Sequence, residues 1–261
     1  MTMSRFVNLE FSDQSGNEMQ PGQKEVVKDE LYYMGEAGKA FEAGKYEEGL
    51  RFYSKVLEYN PRNAAAWTGQ VRMLIELGEF REAKLWADKA LERFPHEPEL
   101  LAAKGVALGR VGDLDAALAF SDASMEERGD TPYVWLARAD VLLARREARA
   151  DYCVEKAVLL APQDWFIAWL AARIRFYYKQ FVLALKLLQA AVAFNPGHSL
   201  LWLEQGHCQL AIGMMNAAEI SYTQAQHLNP QCQEAQNAVM GISGVGMMAQ
   251  LRGRLRRLFG K

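Results

Sequence analysis

Apolar residues recur three and four positions apart through most of this chain, the spacing that stacks side chains on one face of an α-helix. Period-two alternation, the mark of a half-buried strand, is confined to the start, where Phe6, Val7, Asn8, Leu9, Glu10 and Phe11 carry it. The pattern predicts an all-α protein. Within it, small residues return at an interval of 34 residues on the second helix of each predicted pair, at Gly49, Ala83, Ala117, Ala150, Ala184 and Ala218. Seven residues later Val56, Ala90, Ser124, Ala157, Ala191 and Ala225 form a second series. A third runs through the first helices at Ala37, Val71, Gly105, Ala139, Ala172 and Gly206. Each series contains one step of 33, and comparing them puts the missing residue in the fourth hairpin turn, after Ala139 and before Ala150.

A helix stop closes each unit, at Pro61, Pro95, Gly129, Pro162, Pro196 and Pro230, because neither residue type continues a helix comfortably. Between paired helices, Gly44, Gly78, Gly112 and Gly213 supply turns where positive φ is needed, with Arg145 and Lys179 near that place in the fourth and fifth units. The small residues are expected where helices cross, since two axes approach to about 8 Å only if no large side chain intervenes.

These residues resemble the tetratricopeptide repeat (TPR), whose pattern is a tryptophan in the first turn, small residues at the helix crossings and a closing proline. Trp67, Trp135 and Trp202 take the tryptophan place, while Tyr33, Leu101 and Ala168 depart from it. The resemblance covers roughly residues 30 to 232 and implies a right-handed α-solenoid of six hairpins, at 30–63, 64–97, 98–131, 132–164, 165–198 and 199–232. Residues 233–261 are expected to hold a capping helix and a basic amphipathic tail, and residues 1–29 an N-terminal extension, flexible or partner-bound.

Half of the residues are apolar and 24% are charged, a balance that suits a packed fold. The formal net charge of −2 provides no bulk attraction to nucleic acid, and no specific nucleic-acid partner is expected. Charge is nevertheless polarised. No acid follows Glu234, whereas Arg252, Arg254, Arg256, Arg257 and Lys261 place five positive charges in the last ten positions. The three cysteines, Cys153, Cys208 and Cys232, are odd in number and lack a CxxC spacing, against a disulfide framework or a zinc site. Without a signal-like apolar run near Met1 or a stretch long enough to cross a bilayer, the cytoplasm is the expected location.

No nucleophile with a base, phosphate loop or metal cluster stands out, so neither catalysis nor a cofactor is expected. His207 and Cys208 are adjacent and would point in different directions on a helix. Gly241, Gly244 and Gly246 lack the strand and the Lys-Ser or Lys-Thr pair of a phosphate loop. Glu47, Glu48, Arg81, Glu82, Asp113 and Asp115 fall at starts of second helices, where the acids suit the helix dipole.

The resemblance instead directs attention to the face that first helices present to the hollow of the array. Helical spacing puts Leu136, Leu143, Phe166, Trp169, Leu170, Phe176, Tyr177, Leu200, Leu203 and Leu210 there. Arg72, Asp140, Arg173, Glu204 and His207 interrupt it and could orient a bound segment by charge-assisted bonds. The Lys, Asn and Arg set with which carboxylate-clamp members of the family grip a chain terminus is absent. A second reading has the aromatics between Trp165 and Tyr178 filling the core, and Arg175, in an otherwise apolar place, suggests a fifth unit rotated by one residue. If the face is open, Trp169→Ala costs little stability and removes an anchor for the partner.

The expected function is a non-catalytic adaptor that holds a peptide or helix of a partner protein. A chaperone or secretion escort and a regulatory subunit of an enzyme complex are the alternatives. In the tail, Leu251, Leu255, Leu258 and Phe259 share one helical face, with Arg252, Arg254, Arg256 and Arg257 on the others. That segment is either a surface for an acidic partner or anionic membrane, or a frayed cap whose arginines offset its own dipole.

Overall fold

Helices begin where the chain offers a short polar cap. Asp29 accepts from the Tyr32 N–H, Asn63 from Ala66, Asp113 from Ala116, Thr131 from Val134, and Asp164 from Phe166 and Ile167. In the second helices, Glu47, Glu48, Glu82 and Asp115 occupy first turns, where their charge opposes the positive end of the helix dipole. The structure, a computed structural model, describes residues 28–241, and no strand occurs among them. The alternating segment Phe6 to Phe11 and the arginines Arg252, Arg254, Arg256 and Arg257 lie outside the described residues.

The chain divides into two compact units, Met1–Gly129 and Asp130–Lys261. The first contains α1 (Glu30–Glu42), α2 (Tyr46–Tyr59), α3 (Ala64–Glu76), α4 (Phe80–Leu91), α5 (Pro98–Val111) and α6 (Leu114–Glu126). Each odd-numbered helix pairs with the next, α2 packs on α3 and α4 on α5, and the first helices α3 and α5 also touch. The second contains α7 (Pro132–Ala144), α8 (Ala150–Leu160), α9 (Trp165–Tyr177), α10 (Phe181–Phe194), α11 (Ser199–Ala211) and α12 (Met215–Leu228). Residues 233–241 are again helical.

All three series of small residues are buried throughout, which places them at the helix crossings. Two glycines carry the tightest of these contacts. A Cβ at Gly69 would overlap the ring of Tyr53, and one at Gly206 would overlap the ring of Tyr222, so each tyrosine lies directly on a helix backbone. Trp67 and Trp202 donate their indole N–H to the carbonyls of Pro61 and Pro196, at 3.0 and 2.8 Å, and tie each first helix to the loop before it. Gln236, one period beyond Trp202, does the same with the Pro230 carbonyl at 2.6 Å. Ala235 beside it is fully buried against Leu203, Tyr222 and Ala225. Residues 233–241 thus begin as a further repeat would and pack on the apolar surface of α11 and α12.

The hairpin turns reach positive φ at Gly44, Gly78, Gly112 and Gly213, and at Arg146 and Lys179. Arg146 and not Arg145 therefore takes the glycine place in the fourth turn. From the turn residue to the buried small residue of the second helix is five positions in every hairpin except the fourth, where Arg146 precedes Ala150 by four. The missing residue is thereby located between Arg146 and Ala150, and α8 loses its first turn. Its 11 residues compare with 14 in α10 and α12.

Arg175 is buried, yet the fifth hairpin is not rotated, because Ala172 and Ala184 remain buried in phase. Its guanidinium donates to Asp151 Oδ1 at 2.5 Å and to Gln180 Oε1 at 2.6 Å, joining α8 to the turn before α10. Ala40, Leu74, Leu108 and Leu142 fill the equivalent place in earlier hairpins. The arginine head thus meets the first turn of the shortened α8 at Asp151.

Replacing Ala117 with leucine should force α5 and α6 apart and cost about 1–3 kcal/mol. Urea unfolding of the variant beside the wild-type chain measures this.

Candidate functional site

In the second unit, α7, α9 and α11 present equivalent positions in rows. The row Leu136, Trp169, Leu203 is buried completely or almost so. The row Asp140, Arg173, His207 runs from buried to half-buried. Further along, Phe176 is 39% exposed and Leu210 42%, with Tyr177 next to Phe176 at 46%. The face is therefore filled near the N-terminal ends of α9 and α11 and open near their C-terminal ends.

This placement corrects part of the expectation from sequence. Trp169 is not an open aromatic anchor but a core side chain. Its indole N–H donates to Glu204 Oε2 of α11 at 2.8 Å, and Arg173 donates to the other oxygen, Oε1, at 2.5 Å while its guanidinium lies 5.2 Å from the Trp169 ring centre. Phe166, half-buried, packs its ring 5.4 Å from Trp169. Leu136, Leu143, Leu170 and Leu203 are likewise buried. Asp140 is buried and accepts from the Tyr178 hydroxyl at 2.8 Å. The reason is geometric: wide side chains at these positions span the distance between successive first helices, so the neighbouring helix covers them. Arg72 belongs to the first unit, on α3, with its guanidinium 4.9 Å from the Phe41 ring centre. Of the residues expected on the face, Phe176, Tyr177 and Leu210 are exposed, and Arg72, Phe166, Arg173, Leu200, Glu204 and His207 are half-buried.

A sequence profile described as tetratricopeptide repeat matches residues 40–107. Over those residues the chain carries tetratricopeptide repeats, and its helices have the fold of a tetratricopeptide-repeat protein. Among solved structures it is similar to a TPR protein from Parabacteroides merdae, with 16% identity over 82% of this chain and 84% of that one and a TM-score of 0.53. It is also similar to the Cut9–Hcn1 hetero-tetramer of the APC/C, with 14% identity, a TM-score of 0.51, and coverage of 82% of this chain and 43% of that one. The human IFIT1 dimer with PPP-AAAA matches with 18% identity, a TM-score of 0.50, and coverage of 87% and 59%. The chain thus spans less than two thirds of the Cut9–Hcn1 and IFIT1 chains. No curated protein sequence matches it.

Within the TPR scaffold the ionisable groups of α11 are set by burial. Burial, with Glu204 nearby, pushes the Cys208 thiol up to about 12, which favours its protonated form at neutral pH. Burial lowers the His207 imidazole below its ordinary 6.5, opposed by Glu234 at 3.7 Å. His198, whose ring lies 4.7 Å from that of Trp165, is lowered by burial as well. Among the described residues, no cluster of three or more His, Cys, Asp or Glu could hold a metal ion, and no helix is long and apolar enough to cross a membrane.

Two measurements test this interior. Trp169→Ala should cost roughly 3–5 kcal/mol in urea unfolding through lost burial and a cavity. For the histidines, the unfolded chain binds protons at a pH where the folded chain does not. Their contribution to stability is complete above 6.5 and is lost as pH falls through the lower folded values. Stability should therefore decline as pH falls below about 6.5, and His198→Gln/His207→Gln should flatten that decline.

Proposed function

We propose that this TPR chain is a non-catalytic cytoplasmic adaptor that holds a peptide or helix of a partner protein on the open ends of α9 and α11. The observation that carries this reading is the exposed ledge of Phe176, Tyr177 and Leu210 beside the polar groups of Arg173 and His207. Aromatic and aliphatic side chains left uncovered next to oriented hydrogen-bonding groups suit an interface with an apolar centre and a polar rim. The ledge also rests on a rigid floor, because Trp169, Arg173 and Glu204 hold one another in place. A partner would meet a surface already ordered, which lowers the entropy lost on binding. In the similar Cut9–Hcn1 structure, a chain of related fold assembles with another protein.

Affinity purification from the source cell with mass-spectrometric identification, repeated with Phe176→Ala/Leu210→Ala, tests the proposal. The variant should lose about 2 kcal/mol or more of partner affinity, as expected of anchor truncation. Each substitution should cost about 1–2 kcal/mol of folding stability, less than full burial would, since both side chains are already partly in water. Unchanged partner recovery by a well-folded variant would exclude the ledge.

A further inference from the structure

A cavity of about 630 Å³ lies in the second unit between the fourth and fifth hairpin turns. Leu143, Tyr177 and Tyr178 form part of its wall, and Arg146, Lys179 and Gln180 are at the turns. Its volume is in the range of pockets that take a small ligand or the side chains of a peptide. It coincides with the one hairpin whose turn-to-helix spacing is short, so the space follows from the missing residue between Arg146 and Ala150.

The charges around it are not balanced. Both lining acids are engaged by arginines of the chain itself: Asp151 accepts from Arg175, and Glu147 accepts from Arg145 and Arg149 at 2.8 Å each. Those two arginines hold the Glu147 carboxyl below its usual range. Arg146 and Lys179, in contrast, are exposed and form no ion pair among the described residues.

Backbone conformation adds a separate argument. Arg146 and Lys179 adopt φ of 61° and 60°, where the other four hairpin turns use glycine. A side chain there is disfavoured relative to glycine. Arg128 and Gln163 adopt a similar φ in the loops that join hairpins, so the conformation is not peculiar to the cavity; within the hairpin turns, however, the two without glycine border it and each places a cation there.

We infer that this cavity binds an acidic segment of a partner protein, whose carboxylates pair with Arg146 and Lys179 while an apolar side chain lies against Tyr177 and Leu143. The inference rests on the reading of the chain as a holder of protein segments and adds a second contact region to the ledge. A short peptide suits the site better than a nucleic acid. Glu147 and Asp151 remain close by and would oppose a continuous row of phosphates, whereas a peptide can place apolar residues beside them.

The test uses the full chain and fluorescence anisotropy of a fluorescein-labelled acetyl-Glu-Asp-Phe-Glu-Asp-Leu-amide peptide. It should bind, and its Gln and Asn counterpart should bind roughly tenfold more weakly or worse. Arg146→Gly/Lys179→Gly should reduce affinity for the acidic peptide by about the same factor. Its melting midpoint should equal or exceed that of the wild type, because glycine suits the left-handed turn. That combination separates lost charge from lost folding. Equal affinity of the glycine variant, equal affinity of the neutral peptide, or tighter binding of an oligoadenylate would each overturn the assignment. Phe176→Ala/Leu210→Ala, which keeps both cations, should retain the peptide. A protein partner recovered equally well by the glycine variant would overturn the cavity alone. Failure to bind either a protein partner or the acidic peptide would overturn both readings.

Discussion

The close approach of helices at columns of glycine, alanine and serine is the constraint on which the rest of this chain depends. Where Gly69 and Gly206 face Tyr53 and Tyr222, even a methyl group has no room. Such contacts allow the helices to exclude water along their length, and they account for the recurrence interval. Each unit must return a small residue to the same place on the same face, so variation is confined to other positions. The cost of this arrangement is that a hairpin cannot bury its own outer apolar surface. Residues 233–241 show the solution at one end, with Ala235 and its neighbours covering Leu203 and Tyr222.

The same demand for coverage explains why polar groups occur inside the face formed by the first helices. Trp169 brings an indole N–H into the interior, and a buried donor without an acceptor would be destabilising. Glu204 accepts it, and Arg173 balances the resulting negative charge. The three form one arrangement linking α9 to α11, and removing any member leaves another without its partner. Its position near the N-terminal ends of these helices leaves the C-terminal ends, with Phe176 and Leu210, to remain open.

The repeat was legible in the sequence because it follows from local sterics. Small residues, helix stops and turn glycines report the backbone directly, and one alignment of three series already bracketed the missing residue between Ala139 and Ala150. Placing it after Arg146 required the turn geometry, since an arginine gives no sign in the sequence that its φ is positive. Which face residues are open was not legible. Trp169 and Phe176 share a face and are both aromatic, yet one is buried and the other exposed, because burial depends on the width of the side chains on the adjacent helix. Arg175 looked misplaced for a related reason. Its partners, Asp151 and Gln180, lie on other elements and are brought to it only by the shortened turn. Gln236 did carry a signal, its spacing of one period from Trp202, but a change of residue type concealed it.

Departures from the pattern gather in the fourth and fifth hairpins: a missing residue, an arginine in an apolar column, and cations in two left-handed turns. They adjoin one another: Arg175 engages Asp151 next to the missing residue, and Arg146 and Lys179 nearby form no ion pair among the described residues. In a fold with a single central core, so many changes at one place would disturb distant packing. In a repeat array each unit is coupled to its neighbours alone. Ala139, Ala150, Ala172 and Ala184 stay buried on either side of the altered turn, so the helix crossings retain their phase. A local surface with its own shape and charge can thus be built into two hairpins at little cost to the architecture that carries them.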